Sequence, residues 1–317
     1  MIKVSILVPI YNVAQYIERC VISLMEQTYE HIEYVFVDDC SPDNSIEVLC
    51  DVIKKYPNRY KYIKIIHHNV NRGLALARNT ALDSATGEYV FHVDSDDWIA
   101  PNCIALLVHK AKDTKFDIID GAFVDVYKNR TKTNLPFEYN KNEYIRLMLS
   151  GIGIVSNQIW GRLIKRELYI KNNVHAFANI NYGEDYSVLL KLLYYGKRAY
   201  INDVVYYYNH LNENSYMNNL TQNNYISLIK AKLIISNFYF SISNKNEFYF
   251  ETVWGLINLY KTGEILKLDT VEIKSILNRI KKPNILNLLY KCISYKHFIL
   301  AKILTFCITY KEKTCLR

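Results

Sequence analysis

The chain has 317 residues, of which half are hydrophobic and 22% are charged, so its composition excludes wholesale disorder. Its length fits one large domain or two smaller ones. The formal charge of +8 is unevenly distributed: residues 216–317 carry 15 Lys and Arg against 6 Asp and Glu, whereas residues 1–215 carry 24 basic and 25 acidic side chains. This division predicts a near-neutral domain followed by a basic region, and it disfavours a nucleic-acid-binding protein, in which basic residues form a continuous patch.

Cysteine usage indicates a reducing compartment. The seven cysteines are odd in number and lack Cys-x-x-Cys spacing. The short apolar run at the N-terminus ends at Pro9 and does not have the pattern of a signal peptide. Because no stretch of about 18 uncharged apolar residues occurs, no spanning helix is expected. We therefore expect a cytoplasmic protein.

The first 125 residues alternate between strand and helix patterns. The strands are predicted at Val4–Ile10, Ile32–Val37, Tyr62–Ile66, Tyr89–Val93 and Ile118–Val126. The helices between them are predicted at Ala14–Gln27, Ser45–Lys55, Gly73–Ala85 and Pro101–Ala111. This alternation is typical of an α/β fold with a mostly parallel sheet and helices on both faces. Ligands of such sheets bind beyond the carboxyl ends of the strands.

The remaining chain becomes progressively more helical. Residues 140–215 contain predicted helices at Glu143–Leu149, Arg166–Asn172 and Glu184–Tyr195 and a strand at Ala199–Tyr208. Four further helices are predicted at 222–242, 246–266, 270–281 and 284–310. We expect a catalytic domain at 1–215, with halves at about 1–125 and 126–215, and a basic helical region at 216–317.

The strongest chemical motif is the run Asp94-Ser95-Asp96-Asp97 after a predicted strand. Three carboxylates in four residues repel one another unless a cation lies among them. A divalent cation with oxygen ligands, such as Mg²⁺ or Mn²⁺, is the natural partner. The alternative is a solvated acidic turn that caps the next helix.

Three weaker motifs accompany it. Asp38-Asp39 follows a second strand and could accept hydrogen bonds from a base or a ribose. Gly73 opens a helix whose N-terminus suits a phosphate, with Arg78 as a pairing group. Asp185, in Gly183-Glu184-Asp185, begins another helix and could act as a general base. Simple turns, packed helices and helix caps are the respective alternatives.

Two nucleotide-binding motifs are missing from the sequence. No Gly-x-Gly-x-x-Gly follows the first strand, and no Gly-Lys-Ser or Gly-Lys-Thr occurs. Dinucleotide binding and a P-loop enzyme are therefore unsupported.

Taken in order, the motifs resemble those of the family 2 glycosyltransferases, which are inverting enzymes with the GT-A fold. The resemblance covers roughly residues 1–215. It is carried by Pro9-Ile10-Tyr11-Asn12, Asp38-Asp39-Cys40-Ser41, Asn71–Asn79, Gly87-Glu88-Tyr89, Asp94–Asp97, Trp160–Arg166 and Gly183-Glu184-Asp185.

The resemblance implies a role for each matching residue. The positions implied to bind the nucleotide are Pro9, Tyr11, Asp39, Arg78 and Asp94, the last of them near the ribose. Asp96 matches the direct metal ligand and Asp185 the catalytic base. Members of the family differ in the carboxylate that contacts the metal, so Asp94 and Asp97 are further candidates, and His210 is another.

The family also implies the reaction and its partners. We expect transfer of a hexosyl or N-acetylhexosaminyl group from a nucleotide-diphosphate sugar, with UDP as the expected nucleotide, and a divalent cation, Mn²⁺ or Mg²⁺, as cofactor. The expected acceptor is a hydroxyl of a glycan, or of a glycan carried on a polyprenyl diphosphate, in bacterial surface polysaccharide synthesis. Two alternatives are a sugar-nucleotide nucleotidyltransferase and an inactive module that binds a sugar nucleotide or a lipid.

The basic C-terminal region has two interpretations. Its last predicted helix, 284–310, mixes Ile, Leu, Phe and Tyr with Lys291, Lys296 and Lys302, which makes a spanning helix improbable. The helix is expected either to lie peripherally on the inner surface of the membrane or to pack on the catalytic domain.

Overall fold

The computed structural model describes residues 1–112, 116–138, 140–151, 155–212, 221–242 and 247–295, together with 301, 302, 304, 305 and 308. The chain divides into two compact units. The first consists of Met1–Lys141 and Asn157–Asn219, and the second of Asn142–Ser156 and Leu220–Arg317.

All strands lie in the first unit. Their bounds are β1 Val4–Ile10, β2 Ile32–Asp38, β3 Ile63–His67, β4 Tyr89–His92, β5 Trp98–Ile99, β6 Ile118–Val126, β7 Thr131–Asn134, β8 Arg162–Lys165 and β9 Arg198–Asn209. The helices of this unit are α1 Ile17–Met25, α2 Ser45–Lys54, α3 Pro57–Tyr60, α4 Leu74–Ser84, α5 Cys103–Ala111, α7 Arg166–Lys171 and α8 Glu184–Tyr195.

The strands form one mixed sheet in the order β3-β2-β1-β4-β8-β6-β9-β5, with β7 paired to β6. The pairings among β3, β2, β1 and β4 are parallel, as the continuous apolar runs predicted. Beyond β4, only the β6–β9 pairing is parallel, and β8 joins both β4 and β6 in antiparallel orientation. The α/β fold is confirmed, but the sheet is mixed rather than mostly parallel. The short strand β8, which carries charged residues, was not visible as a strand pattern.

Both faces of the sheet are covered. Ile6 and Val8 of β1 belong to a cluster of buried residues that includes the apolar residues of α1, α2 and α5. Leu7, which points to the opposite face, is equally buried, and α4 packs against β1 and β2. The predicted arrangement of helices on both faces follows from this alternation.

The second unit is helical. Its helices are α6 Lys141–Ser150, α9 Gln222–Ser241, α10 Tyr249–Leu266, α11 Val271–Arg279 and α12 Asn284–Ser294. The apolar residues of α9 to α12 form a separate core around Trp254. The helical C-terminal region predicted from the sequence is confirmed.

Residues 142–156 belong structurally to the second unit, although the sequence analysis included them in the 1–215 domain. Arg146 of α6 bonds to Glu251 of α10 at 2.8 Å, and Asn258 donates to the carbonyl oxygen of Ser150 at 3.1 Å. A Cβ atom on Gly255 would lie 1.9 Å from the Leu149 carbonyl oxygen, so only glycine permits this approach of the two helices. Such long-range packing has no local sequence signal.

The last predicted helix, 284–310, is interrupted at Tyr295. Helix α12 ends at Ser294, with Tyr295 as its C-cap. Of residues 296–310 the structure describes 301, 302, 304, 305 and 308, which are helical, whereas Lys296 lies outside the described residues. Among the helices that the structure describes, none is both long and apolar enough to span a bilayer.

Candidate active site

The candidate site residues lie where the parallel strands end. Pro9 pairs with Val37 in the β1–β2 ladder, and Leu7 pairs with His92 of β4, so the carboxyl ends of the three strands reach the same edge. Pro9 is buried, whereas Tyr11 follows the strand and is 44% exposed. Of these two, Tyr11 has the side chain that solvent can reach.

Asp39 is buried and holds the loop that precedes α4. Its Oδ1 accepts a hydrogen bond from the Arg72 backbone N–H at 2.8 Å, and its Oδ2 accepts one from the Gly73 N–H at 2.8 Å. The Nδ1 atom of His68 lies 2.6 Å from Oδ1, and Nε2 of the same ring lies 3.0 Å from the Thr80 hydroxyl. The residue predicted to contact the base therefore also fixes the loop, with His68 as a partner that the motif did not reveal.

Arg78 is the centre of a buried group of charges. It is only 4% exposed. Its Nη2 donates to Asp94 Oδ1 at 2.7 Å, and its Nη1 donates to Glu184 Oε1 at 2.6 Å and to Asp185 Oδ1. Breaking a buried ion pair by removing one partner typically costs about 3–5 kcal/mol. The guanidinium is therefore strongly held by three carboxylates from two distant segments.

The catalytic base predicted from the sequence, Asp185, stands in the first turn of α8. Gly183 precedes the helix with a φ of 89°, a left-handed conformation that glycine adopts without strain. The second carboxylate oxygen, Oδ2, accepts a hydrogen bond from the Ile159 backbone N–H at 3.1 Å. Since the Asp185 side chain is 19% exposed, the carboxylate is fixed in orientation but not sealed from a ligand.

Burial raises the pKa values of the adjacent acids Glu184 and Asp185. Desolvation, followed by the Asp185 charge, raises the pKa of Glu184 to about 8, although Arg78 opposes the shift. Desolvation also raises the pKa of Asp185, again against the effect of Arg78. Glu184 therefore takes up a proton more readily than an exposed glutamate, which lessens the repulsion between the adjacent carboxylates.

The acidic motif after β4 contains residues in different environments. Asp97 is fully buried and accepts hydrogen bonds from the Tyr206 hydroxyl and the Asn209 N–H, both at 2.7 Å. Asp96 accepts a bond from the Asn212 side-chain amide at 2.8 Å and is partly exposed. Asp97 therefore faces the β9 strand, whereas Asp96 retains access to a ligand.

The environment of Asp96 fits a divalent cation. Burial, and then the charge of Asp94, raise the pKa of Asp96 to about 6, so the Asp94 charge disfavours the ionised form of Asp96. A cation between them would relieve this repulsion. Mg²⁺ commonly takes only one or two protein carboxylates, with water and substrate phosphates as the other ligands. The described residues contain no cluster of three or more His, Cys, Asp and Glu side chains arranged to hold a metal.

His210 lies among aromatic side chains. Its Nε2 is 2.9 Å from Asp125 Oδ1, and its ring stacks on Tyr127 with centroids 4.1 Å apart. Tyr208 meets the same ring edge to face at 4.4 Å. The structure thus pairs this metal candidate with Asp125, a residue that the sequence analysis did not single out.

Residues 5–172, more than half of the chain, match the family described as Glycosyl transferase family 2. The chain belongs to this glycosyltransferase family. The glycosyltransferase GlyG of Streptococcus pneumoniae serotype 4 is 32% identical over 65% of this chain and 70% of its own length. The matched region spans only 30% and 53% of two further curated relatives.

Solved structures support the GT-A fold of this glycosyltransferase. Residues 1–349 of TarS of S. aureus, in complex with UDP-GlcNAc, superpose with a TM-score of 0.65 at 19% identity, covering 98% of this chain and 92% of that one. A mannosyltransferase of Pyrobaculum calidifontis, in complex with GDP-Man and Mn²⁺, gives a TM-score of 0.54 at 18% identity, covering 98% and 87% of the two chains. The predicted family and fold are confirmed.

Proposed function

We propose that this glycosyltransferase moves a sugar from a UDP-linked donor to a hydroxyl of a glycan or lipid-linked acceptor, with inversion at the anomeric carbon. The observation that carries the proposal is the placement of Asp185. Its carboxylate is oriented by Arg78 and the Ile159 N–H, it is partly exposed, and it shares Arg78 with Asp94 at the end of β4. The complex of TarS with UDP-GlcNAc supports UDP as the nucleotide.

In this mechanism, Asp185 is the general base. It accepts the proton of the acceptor hydroxyl while that oxygen attacks the anomeric carbon. The bond between the anomeric carbon and the diphosphate oxygen breaks on the opposite side, and the nucleoside diphosphate leaves. A single displacement converts an α-linked donor into a β-glycoside.

The other site residues bind the donor. From the family resemblance we assign Pro9, Tyr11 and Asp39 to the binding of the base, and Asp94 to the ribose. Asp96 would hold a divalent cation, Mn²⁺ or Mg²⁺, whose charge neutralises the diphosphate and improves it as a leaving group. The mannosyltransferase that contains Mn²⁺ supports a cation of this class.

The proposal predicts nucleotide release that depends on a divalent cation. We expect the purified chain to release UDP from at least one UDP-sugar when Mn²⁺ or Mg²⁺ is present, and a chelator to abolish the release. A panel of UDP-, GDP- and CMP-sugars, monitored by nucleotide release and thermal shift with and without Mn²⁺, tests this. GDP or CMP release alone would contradict the UDP assignment, whereas no release or binding from any donor would favour an inactive module.

We also infer that the C-terminal unit contacts an anionic membrane surface, where a polyprenyl-diphosphate-linked acceptor in surface polysaccharide synthesis would be located. Ile285, Leu288 and Tyr295 are 40%, 48% and 72% exposed and lie at intervals of three and seven residues along α12 and its C-cap. Lys291 of the same helix is exposed, and so is Lys281, which precedes the helix. Apolar and basic side chains on one helix face suit the interface of an anionic bilayer.

Vesicle binding tests this contact. The full chain is expected to sediment with vesicles that contain phosphatidylglycerol and to be released by high salt, because salt screens the attraction of about 1 kcal/mol between each basic residue and the anionic surface. Ile285→Ser combined with Leu288→Ser should lower the bound fraction. The matched control is Leu135→Ser, at a residue of the first unit that is 58% exposed. If the wild-type chain, the double variant and Leu135→Ser bound the vesicles equally, α12 would not be part of the membrane contact.

A further inference from the structure

Arg78 matches a nucleotide-binding position, yet its guanidinium is surrounded by carboxylates of the protein. Both terminal nitrogens are bonded, Nη1 to Glu184 and Asp185 and Nη2 to Asp94. The side chain is only 5% exposed. A phosphate ligand normally needs a guanidinium whose N–H groups face the ligand; here both N–H groups of Nη1 and one of Nη2 are directed at protein carboxylates, and Nε is buried.

We propose that Arg78 is a positioning residue, which holds the base Asp185 and the donor-side carboxylate Asp94 in a fixed relation and does not itself contact the diphosphate. The inference rests on the proposed function, because it assigns the group through which Arg78 affects transfer. It differs from the family-based expectation, in which Arg78 binds the nucleotide.

The planar geometry of guanidinium explains how one side chain can position both carboxylates. Asp94 follows β4 and Asp185 begins α8, so the two residues are supplied by separate segments of the chain. Each carboxylate accepts a hydrogen bond from the same planar guanidinium, Asp94 from Nη2 and Asp185 from Nη1. A lysine at this position would keep the charge but has no planar fork to set the two directions.

The second oxygen of the Asp185 carboxylate is also fixed. Oδ2 of Asp185 accepts the Ile159 N–H, so Arg78 and the backbone hold the two oxygens of the carboxylate separately. Behind Arg78, the buried His92 ring pairs through Nε2 with the Tyr169 hydroxyl at 3.1 Å. Burial, aided by the Arg78 charge, lowers the pKa of His92 to about 3, which keeps this ring neutral.

The inference makes a distinctive prediction about binding. If Arg78 contacted the diphosphate, its loss would weaken the binding of UDP much more than that of uridine. If Arg78 instead positions Asp94 and Asp185, its loss should weaken the contact between Asp94 and the ribose. Uridine and UDP both contain this ribose, so both should lose affinity to the same extent. The decisive quantity is therefore the ratio of the dissociation constants of uridine and UDP.

The experiment compares the wild-type chain with Arg78→Gln and Arg78→Lys, all with Mn²⁺ present and below the melting temperature of every variant. We expect kcat at saturating donor to fall about 100-fold in Arg78→Gln and less in Arg78→Lys, which keeps the charge. The uridine-to-UDP ratio, from NMR titrations, should remain within about twofold of the wild-type value. Should Arg78→Gln fail to fold, the same two measurements on Arg78→Lys decide the question.

The matched control is Arg59→Lys. Arg59 donates to the carbonyl oxygens of Gln27 and Tyr29, on loops before β2, and has no part in the site. Its variant should retain the wild-type kcat and ratio. If the ratio fell about tenfold or more for either Arg78 variant, Arg78 would be a phosphate ligand and the inference would be overturned. An unchanged kcat would also overturn it, because Arg78 would then not position the base. Failure of the proposed function would look different, because the wild-type chain itself would then release no nucleotide.

Discussion

Replacing Asp185 with asparagine is expected to lower kcat by about 10²–10⁴-fold, the usual contribution of a general base, while the affinity for UDP changes little. Asparagine retains one oxygen, which can accept from Arg78 or from the Ile159 N–H but not from both, so the side chain stays anchored on one side only. It cannot accept the acceptor proton, however. Transfer assays at saturating donor, together with UDP titrations, measure the two effects separately.

A matched substitution at an exposed carboxylate controls for nonspecific effects. Asp83 is 65% exposed, pairs with the surface residue His175, and lies on α4 like Arg78. Asp83→Asn should leave both kcat and UDP affinity unchanged. If Asp185→Asn transferred sugar at the wild-type rate, another group would have to be the base.

The assignment of Asp185 as the general base also predicts how the rate of transfer changes with pH. A general base works only when ionised, so transfer should slow as the pH falls through the pKa of Asp185. Because burial raises that pKa above the ordinary value for aspartate, the acid limb should lie at a higher pH than for an exposed aspartate. The residual activity of Asp185→Asn should lack this limb.

The sequence was sufficient for elements whose signal is local. β1, β6 and α8 have the bounds that the apolar patterns predicted. β8 was missed because its signal is not local: Arg162 within it is buried and lies 2.5 Å from Asp120 of β6. A charged residue at a buried strand position contradicts the usual pattern, and only the long-range partner explains it.

The site shows the same limit. The motifs located the carboxylates, because acidic residues at the ends of strands are visible in the sequence. They did not reveal the partners of these carboxylates, since Arg78 and Asp185 are 107 positions apart and His68 has no motif of its own. Spacing along the chain indicates which residues reach one edge of a sheet, but the hydrogen bonds between loops depend on how those loops fold together.

The acidic run after β4 provides a second large effect, because adjacent aspartates are expected to respond differently to the same substitution. Asp96→Asn should abolish the gain in UDP affinity that Mn²⁺ provides, since one or two carboxylates are all that the protein supplies to such a cation. Titrations of UDP with Mn²⁺ and with a chelator measure this gain.

Asp97→Asn should affect stability instead. The Asp97 carboxylate accepts from both the Tyr206 hydroxyl and the Asn209 N–H, and an amide would turn its NH₂ group towards one of these donors. An unsatisfied buried group costs about 1–3 kcal/mol, and each kcal/mol lowers the melting temperature by about 2–4 °C in a domain of this size. Asp97→Asn should therefore melt earlier yet keep its response to Mn²⁺. The opposite result, a stable protein that no longer responds to Mn²⁺, would make Asp97 the metal ligand and Asp96 a dispensable neighbour.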